Sequence, residues 1–490
     1  MCGIVGYIGR REAAPILIQG LKKLEYRGYD SFGIATVGSS LEVTKRAGKI
    51  SDAAAFSGSL KGKVGIGHTR WATHGEPNDV NAHPHTDCNG CIAVVHNGII
   101  ENFLDLRKEL IGRGHTFRSE TDTEVIVHLL EENFKGDLLE AVEATIGRLH
   151  GSYAFLAIAR DDHRIIAARE KSPLVLGIGD GELLAASDMT PLLEYTERVM
   201  FLEDGDVAII TPEHVEIKNQ GKAITRPLET VSWDVEDVKK GAFEHYMLKE
   251  IYEQPQVFYE TLRSAADPTI KDLFKDTTGV TVVACGTSFH AGLIFKYLLE
   301  GLCNIPGRVE LASEFKYFTP PIRELVIGVT QSGETADTLA ALRKAKSFNC
   351  PTLAITNVQG STVMRTADKT LLTRAGPEIG VAATKSFIAQ LAVFMQIANT
   401  LCENELADML SQAHLAISEV LSLDVGAAVD LCCSVDHIFF VGRGPFYPVS
   451  MEGALKMKEI SYVPAEGYAA GELKHGPFAL LTPKTAAVAI

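Results

Sequence analysis

Basic residues are in short supply in this 490-residue chain: 47 Lys and Arg stand against 62 Asp and Glu, a formal net charge of −15. No basic run or stripe is present, which argues against nucleic acid as a partner. No apolar run reaches membrane-spanning length, so no membrane is expected as a partner either. The first residues lack the charged start and apolar core of a secretory signal, and the chain reads as cytoplasmic. Cysteine is scarce and odd in number, nine scattered residues, which points to reduced thiols rather than a disulfide framework. Walker loops and dinucleotide fingerprints are missing, and GRG at 442–444 is too short to count as one. His83, His85, Cys88 and Cys91 in NAHPHTDCNGC lack the second, well-separated ligand pair of a structural zinc site. That stretch reads as a polar loop before the strand IAVVHNG, and no metal and no cofactor is expected. What remains is ordinary globular composition, 46% hydrophobic and 22% charged, with length for roughly two to four domains.

The chain opens MCGIVGYIG. Removal of Met1 leaves a thiol and a free α-amine on one residue, Cys2. An α-amine titrates near 7.7–8.0, the right strength to take a proton from a nucleophile. The competing reading of Cys2 is a small hydrophobe in a first strand.

Two rhythms divide the chain. Up to about residue 224, short apolar runs bounded by Gly, Asn, Asp or Pro (GIVGYIG, VGIGHTRWA, IAVVHNGII, YAFLAIA, DVAIIT) predict strands. Helical spacing covers 12–26 and 121–134, with Asp122 near the start of the second. Many short strands with few helices predict an α+β sandwich over 2–224. Residues 225–244 are polar, acidic and without sustained period, and read as a linker. From 245 strand and helix alternate, which predicts doubly wound α/β lobes on parallel sheets, one over 245–424 and a second over 425–490. HIFFVGRGPFYPVSMEGALKMKEISY repeats VTVVACGTSFHAGLIFKYLLE at an offset of about 156 residues, aligning Gly286 with Gly442.

HTRWATHGEP at 68–77, VVHNGIIEN at 94–102 and SETDTEV at 119–125 follow CGIVGYIG and EYRGYDS at 25–31. In that order the five motifs resemble the glutaminase domain of glutamine amidotransferases with an N-terminal cysteine nucleophile. The resemblance implies that Cys2 attacks L-glutamine, that Arg70 binds the α-carboxylate and Asp122 the α-ammonium, and that Asn97 and Gly98 form the oxyanion hole. The chemistry suits these types: a guanidinium forks a carboxylate, and an amide NH₂ with a backbone N–H can receive an oxyanion. Each residue alone has a plainer reading: Arg70 a surface ion pair, Asn97-Gly98 a hairpin turn, Asp122 a helix cap. Trp71 is implied by the resemblance to gate an ammonia channel; its plainer reading is a core aromatic.

In the second half, Cys285-Gly286-Thr287-Ser288 and Thr330-Gln331-Ser332-Gly333-Glu334-Thr335 are small, hydroxyl-rich turns between a strand and a helix. Open α/β sheets bind ligands there, and helix N-termini hold phosphate. These turns resemble sugar-phosphate isomerase modules. With EIGVAATKSF at 378–387, EGALKMKEISY at 452–462 and GELKHGP at 471–477, the whole chain resembles the isomerising glutamine–fructose-6-phosphate aminotransferase family. The resemblance implies production of glucosamine-6-phosphate and glutamate, the first step of hexosamine biosynthesis. It implies that Cys285, Gly286, Thr287, Ser288, Gln331, Ser332 and Thr335 surround the sugar phosphate, with Val381 beside it. By the same resemblance, Glu459 would move the proton between C1 and C2, Lys456 would stabilise the enediol, and His475 would assist ring opening from the other subunit of a homodimer. Lys456 and Glu459 also fit a solvated i,i+3 ion pair.

The second lobe reaches its second strand, TAAVAI, at Ile490, and no residue matches the family's C-terminal imine-forming lysine. The expectation from the sequence is therefore a truncated chain with glutaminase activity and impaired synthesis. Two rivals remain: an amidotransferase for another keto-sugar phosphate, and a non-catalytic sugar-phosphate-binding regulator.

Overall fold

A computed structural model describes residues 2–25, 28–50, 60–72, 74–231, 240–275, 277–318 and 322–490. In the front half, side chains alternate between two apolar surroundings. Ile92 and Val94 pack with Phe155, Ala157, Ile166 and Ala168 against helices, while Ala93 and Val95 pack with Leu156, Ile158, Ile165 and Ala167 against a second sheet. Successive strand residues face opposite sides, so a sheet covered on both faces reads as a continuous apolar run rather than an alternating one. The chain divides into two units, Met1–Val238 and Lys239–Ile490.

The first unit is a sandwich of an eight-stranded and a seven-stranded sheet, the α+β class expected, and its sheets extend past residue 224. The strands Gly3–Ile8 and Val64–Arg70 pair antiparallel in the eight-stranded sheet, and Ile92–Ile100 and Gly151–Ala159 in the other. Ile4, Ile8 and Ile66 meet Ala93, Val95, Ala154 and Leu156 between the sheets. The helix Ala13–Leu24 packs on the strands Gly3–Ile8 and Val64–Arg70, and the helices Phe103–Gly112, Glu124–Asn133 and Leu138–Ile146 cover the seven-stranded sheet. Asn97 and Gly98 lie inside the strand Ile92–Ile100, not in a hairpin turn. Asp122 precedes the helix Glu124–Asn133 without capping it; its Oδ2 accepts from the Ile100 N–H at 2.8 Å. The supposed linker begins as structure: Glu229–Thr230 pairs with Arg198–Phe201 at the sheet edge. The rest of that stretch from 232 to 239 lies outside the described residues.

The second unit is α/β. A five-stranded parallel sheet places Val280–Ala284 between Gly307–Leu311 and Leu325–Thr330, followed by Thr352–Thr356 and Lys369–Leu372. A three-stranded parallel sheet repeats the first part of that order, with His437–Gly442 between Ala465–Ala469 and Thr485–Ala489. The strands Gly307–Leu311 and Ala465–Ala469 carry polar or exposed positions, so neither showed an apolar run. The repeat is real but its register differs from the sequence alignment. Gly286 has φ +54° two residues beyond its strand, and Gly444, not Gly442, has φ +55° at the matching place. Both turns need left-handed backbone, which glycine adopts without strain.

Candidate active sites

Antiparallel register puts Cys2 at the end of its strand beside Arg70, one step past the pair Gly3↔Thr69. The Trp71 N–H donates to Cys2 Sγ at 3.3 Å, and Sγ lies 3.5 Å from the Trp71 carbonyl oxygen. Burial pushes the Cys2 thiol above its ordinary pKa, against the lowering pull of the Trp71 N–H and the Arg70 charge. At neutral pH it is a thiol, so attack on a carbonyl needs a base.

Asn97 comes from the opposite sheet and donates from Nδ2 to the Cys2 carbonyl oxygen at 3.1 Å. Its orientation is set from behind. His68 Nε2 lies 3.0 Å from the His96 carbonyl oxygen and 3.0 Å from Asn97 Oδ1. A backbone carbonyl can only accept, so Nε2 carries the proton, and the amide atom facing it is oxygen. Full burial holds His68 neutral, with its pKa lowered to about 3. Gly98 has φ +131°, and a Cβ there would lie 2.0 Å from the Ser152 carbonyl oxygen, so only glycine fits.

Arg70 is buried. Its Nη2 donates to the Gly75 carbonyl at 3.1 Å and to that of His74, and its Nη1 lies 3.5 Å from the Glu76 carbonyl oxygen. The guanidinium therefore holds the loop after its own strand, and is no surface ion pair. Asp122 Oδ1 lies 3.9 Å from His74 Nδ1. Trp71 is 45% exposed and meets the Tyr29 ring edge-on at 5.1 Å, so it is not a core aromatic.

In the second unit, the helix Gly286–Leu302 begins at the first predicted turn, with Cys285 at its N-cap and Ser288 buried. Thr287 Oγ1 donates to Glu452 Oε1 at 2.9 Å and receives from Lys456 Nζ at 3.1 Å. Lys456 Nζ also reaches Glu459 Oε2 at 2.7 Å, and Glu452 Oε2 receives from His290 Nδ1 at 2.7 Å. The two repeats thus meet through Thr287, His290, Glu452, Lys456 and Glu459. In the second turn Ser332 Oγ accepts from the Glu334 N–H at 3.2 Å. Thr335 stands at the N-cap of the helix Ala336–Ser347, its hydroxyl 2.7 Å from that of Thr330. The Gln331 carbonyl receives from the Asn357 N–H at 3.1 Å. Val381 is exposed on a loop held by carboxylates: Glu250 accepts from the N–H groups of Ile379 and Gly380, and Glu378 from those of Thr384 and Ser386. His475 is exposed after a short 3-10 turn and makes no side-chain hydrogen bond among the described residues.

A family model described as "Glutamine amidotransferase domain" matches residues 68–194, and one described as "SIS domain" matches 273–400 and 431–490. The glutamine–fructose-6-phosphate aminotransferase (isomerizing) of Aquifex aeolicus is 47% identical over 98% of this chain and 83% of its own length. That of Methanosarcina mazei is 46% identical over 100% of this chain and 86% of its own. This chain belongs to the isomerising glutamine–fructose-6-phosphate aminotransferase family. Among solved structures, the C-terminal domain of glucosamine-fructose-6-phosphate aminotransferase from Francisella tularensis aligns with a TM-score of 0.46 at 38% identity, covering 51% of this chain and 77% of that one.

As a member of this family the chain is an aminotransferase that joins a glutamine amidotransferase unit to a sugar-isomerase unit. The amidotransferase match falls in the first unit, and the isomerase match in the second. No helix among the described residues is long and apolar enough to cross a membrane. Several residues of this aminotransferase escaped sequence reading. His68 sits inside the HTRWATHGEP motif yet acts on Asn97, 29 positions away. Glu452 and His290 lie 162 positions apart, and only the repeat, aligning the two helices that carry them, hinted at their meeting.

Proposed function

We propose that this chain takes the amide nitrogen of L-glutamine through a thioester at Cys2 and delivers it to fructose-6-phosphate, giving glutamate and glucosamine-6-phosphate. With Met1 removed, the α-amine of Cys2 takes the thiol proton and Sγ attacks the amide carbonyl. The developing oxyanion receives the Asn97 NH₂ and the Gly98 N–H. The amine returns the proton to the leaving nitrogen, ammonia departs, and water cleaves the thioester. Arg70 and Asp122 bind the α-carboxylate and α-ammonium, and Trp71 gates the path of ammonia. In the second unit the turns at Cys285, Gly286, Thr287, Ser288 and at Gln331, Ser332, Thr335 bind the sugar phosphate, with Val381 on the adjoining loop. Glu459 carries the proton between C1 and C2, Lys456 stabilises the enediol charge, and His475 serves ring opening from the neighbouring copy of a homodimer.

The observation that carries this reading is the oriented Asn97 amide, its NH₂ turned to Cys2 by a neutral His68. Loss of a single oxyanion donor typically costs about 10²–10³ in kcat, so Asn97→Ala is expected to lose that much glutamine turnover with KM little changed. Unaltered turnover would remove Asn97 from the site. Product analysis across several ketose phosphates tests the acceptor, and amination of another sugar in preference to fructose-6-phosphate would reassign it.

A further inference from the structure

The Cys88-x-x-Cys91 pair looks like half of a zinc site without its other half. The fold supplies the missing ligands from elsewhere, and they are not Cys91, His83 or His85. In the core His83 meets His68 at a tilt and His85 edge-on, and Cys91 Sγ turns to the Asn89 carbonyl. Cys88, in the turn after the strand His85–Thr86, instead faces His115, from the segment after the helix Phe103–Gly112. His128 and Glu131, on one face of the helix Glu124–Asn133, complete the group. We propose that Cys88, His115, His128 and Glu131 bind one zinc ion that staples these three segments together.

Four ligand atoms converge, all within 4.8 Å of one another. Cys88 Sγ lies 3.8 Å from His115 Nδ1 and 3.7 Å from His128 Nδ1. Glu131 Oε2 lies 2.9 Å and 3.2 Å from the same two nitrogens. A tetrahedral zinc, bonded at about 2.3 Å to sulfur and about 2.0–2.1 Å to nitrogen and oxygen, sets S···N edges near about 3.6 Å and N···O edges near about 3.4 Å. These two S···N and two N···O edges are within a few tenths of an ångström to half an ångström of that arrangement, and the remaining two edges lie within 4.8 Å. The outward nitrogens face carboxylates at ion-pair rather than hydrogen-bond distance, and His128 Nε2 is buried without a hydrogen-bond partner. His115 Nε2 lies 3.5 Å from Glu132 Oε1, and His128 Nε2 lies 3.6 Å from Glu124 Oε1. Metal-bound histidines characteristically turn the remaining ring N–H to a carboxylate, which fixes the tautomer that leaves Nδ1 for the metal. A thiolate with two imidazoles favours zinc over magnesium or calcium, and one thiolate with one carboxylate neutralises its charge. Binding breaks the Cys88 S–H bond, forms Sγ–Zn and releases the proton to solvent. Four protein ligands leave no open position, which marks a structural centre rather than a catalytic one.

The placement gives the staple a purpose. Between His115 and His128 the chain carries Asp122, and Glu124 accepts from the N–H groups of Arg118 and Ser119, both at 2.7 Å. Zinc pins both ends of the segment that presents Asp122. This consequence rests on the reading of Asp122 as the ammonium partner of glutamine, whereas the metal site does not.

The test is metal content of the full chain purified from zinc-supplemented growth, with circular dichroism to confirm folding. About one zinc per chain is expected in the parent and in Cys91→Ser, and at least about tenfold less in Cys88→Ala and His115→Ala. Should those variants fail to fold, cobalt substitution of the parent reads the same site: a thiolate-to-cobalt charge-transfer band, retained in Cys91→Ser. X-ray absorption of the zinc parent should show one sulfur and two imidazoles. A zinc-replete parent without stoichiometric zinc, or zinc retained in folded Cys88→Ala, overturns the site. Bound zinc whose chelation leaves the KM for glutamine unmoved keeps the site and removes its link to Asp122.

Discussion

His68 Nε2 stands 3.0 Å from Asn97 Oδ1, and through that contact one buried imidazole decides which end of an amide faces Cys2. The His68 ring bonds to the His96 carbonyl and to Asn97 rather than to the thiol, and acts as a positioning residue. Its replacement by alanine frees the amide to rotate. The expected result is a fall of at least about tenfold in kcat for glutamine hydrolysis, since an oxyanion donor held in place is worth several kcal/mol. KM should be nearly unchanged, and His68→Gln, which keeps a donor, should recover part of the loss. A purely structural role would instead lower Tm without separating kcat from KM.

Gly98 makes a stability prediction. Its φ is +131°, and a side chain's Cβ would stand 2.0 Å from the Ser152 carbonyl oxygen, which leaves no room for one. Gly98→Ala must shift the strand Ile92–Ile100 against Gly151–Ala159, at a cost on the order of 1–3 kcal/mol or more. Thermal unfolding should show a clearly lowered Tm, with glutaminase activity lost in parallel.

Arg70 is expected to resist conservative replacement. A lysine ammonium cannot reproduce a planar fork that also ties down the carbonyls of His74, Gly75 and Glu76. Arg70→Lys should lower kcat/KM for glutamine about 10- to 100-fold, mainly through KM, as measured by initial rates.

Glu250 confers a pH dependence on the second unit. Burial raises its carboxyl to about 7, aided by the nearby Glu378 and opposed by the Gly380 and Ile379 N–H groups and by Lys385. A raised folded pKa means that the folded state holds the proton more tightly. The stabilisation is full below the ordinary carboxyl value of 4.5 and is lost as pH rises to about 7, on the order of 3 kcal/mol in all. Urea midpoints should fall across that window in the parent and much less in Glu250→Gln. Equal slopes would contradict the assignment.

Glu452 joins the two repeats by receiving Thr287 and His290 and pairing with Lys456 at 3.4 Å. Removing one partner of a buried charged cluster typically costs about 3–5 kcal/mol. Glu452→Ala should lower Tm and weaken sugar-phosphate binding in calorimetry, with glutamine hydrolysis intact.

The central strands of the first sandwich were legible because both of their faces are buried, leaving apolar runs such as Ile92–Val95. The parallel strands Gly307–Leu311 and Ala465–Ala469 were not, because polar and exposed positions interrupt them. Cys2, Arg70, Asn97 and Asp122 were readable as motif residues, whereas the residues that orient them were not. His68 bonds across two sheets, and Cys88 meets His115 and His128 only after three segments fold together. Spacing along a chain cannot show partners that tertiary packing supplies.

The most direct measurement uses amide-¹⁵N glutamine with fructose-6-phosphate and follows the label by NMR in the parent and in Cys2→Ala. Label leaving the amide in the parent, into ammonia or an amino sugar, and staying put in Cys2→Ala is the predicted result. An intact amide in the parent, or equal loss of label from Cys2→Ala, would contradict the assignment of Cys2 as nucleophile.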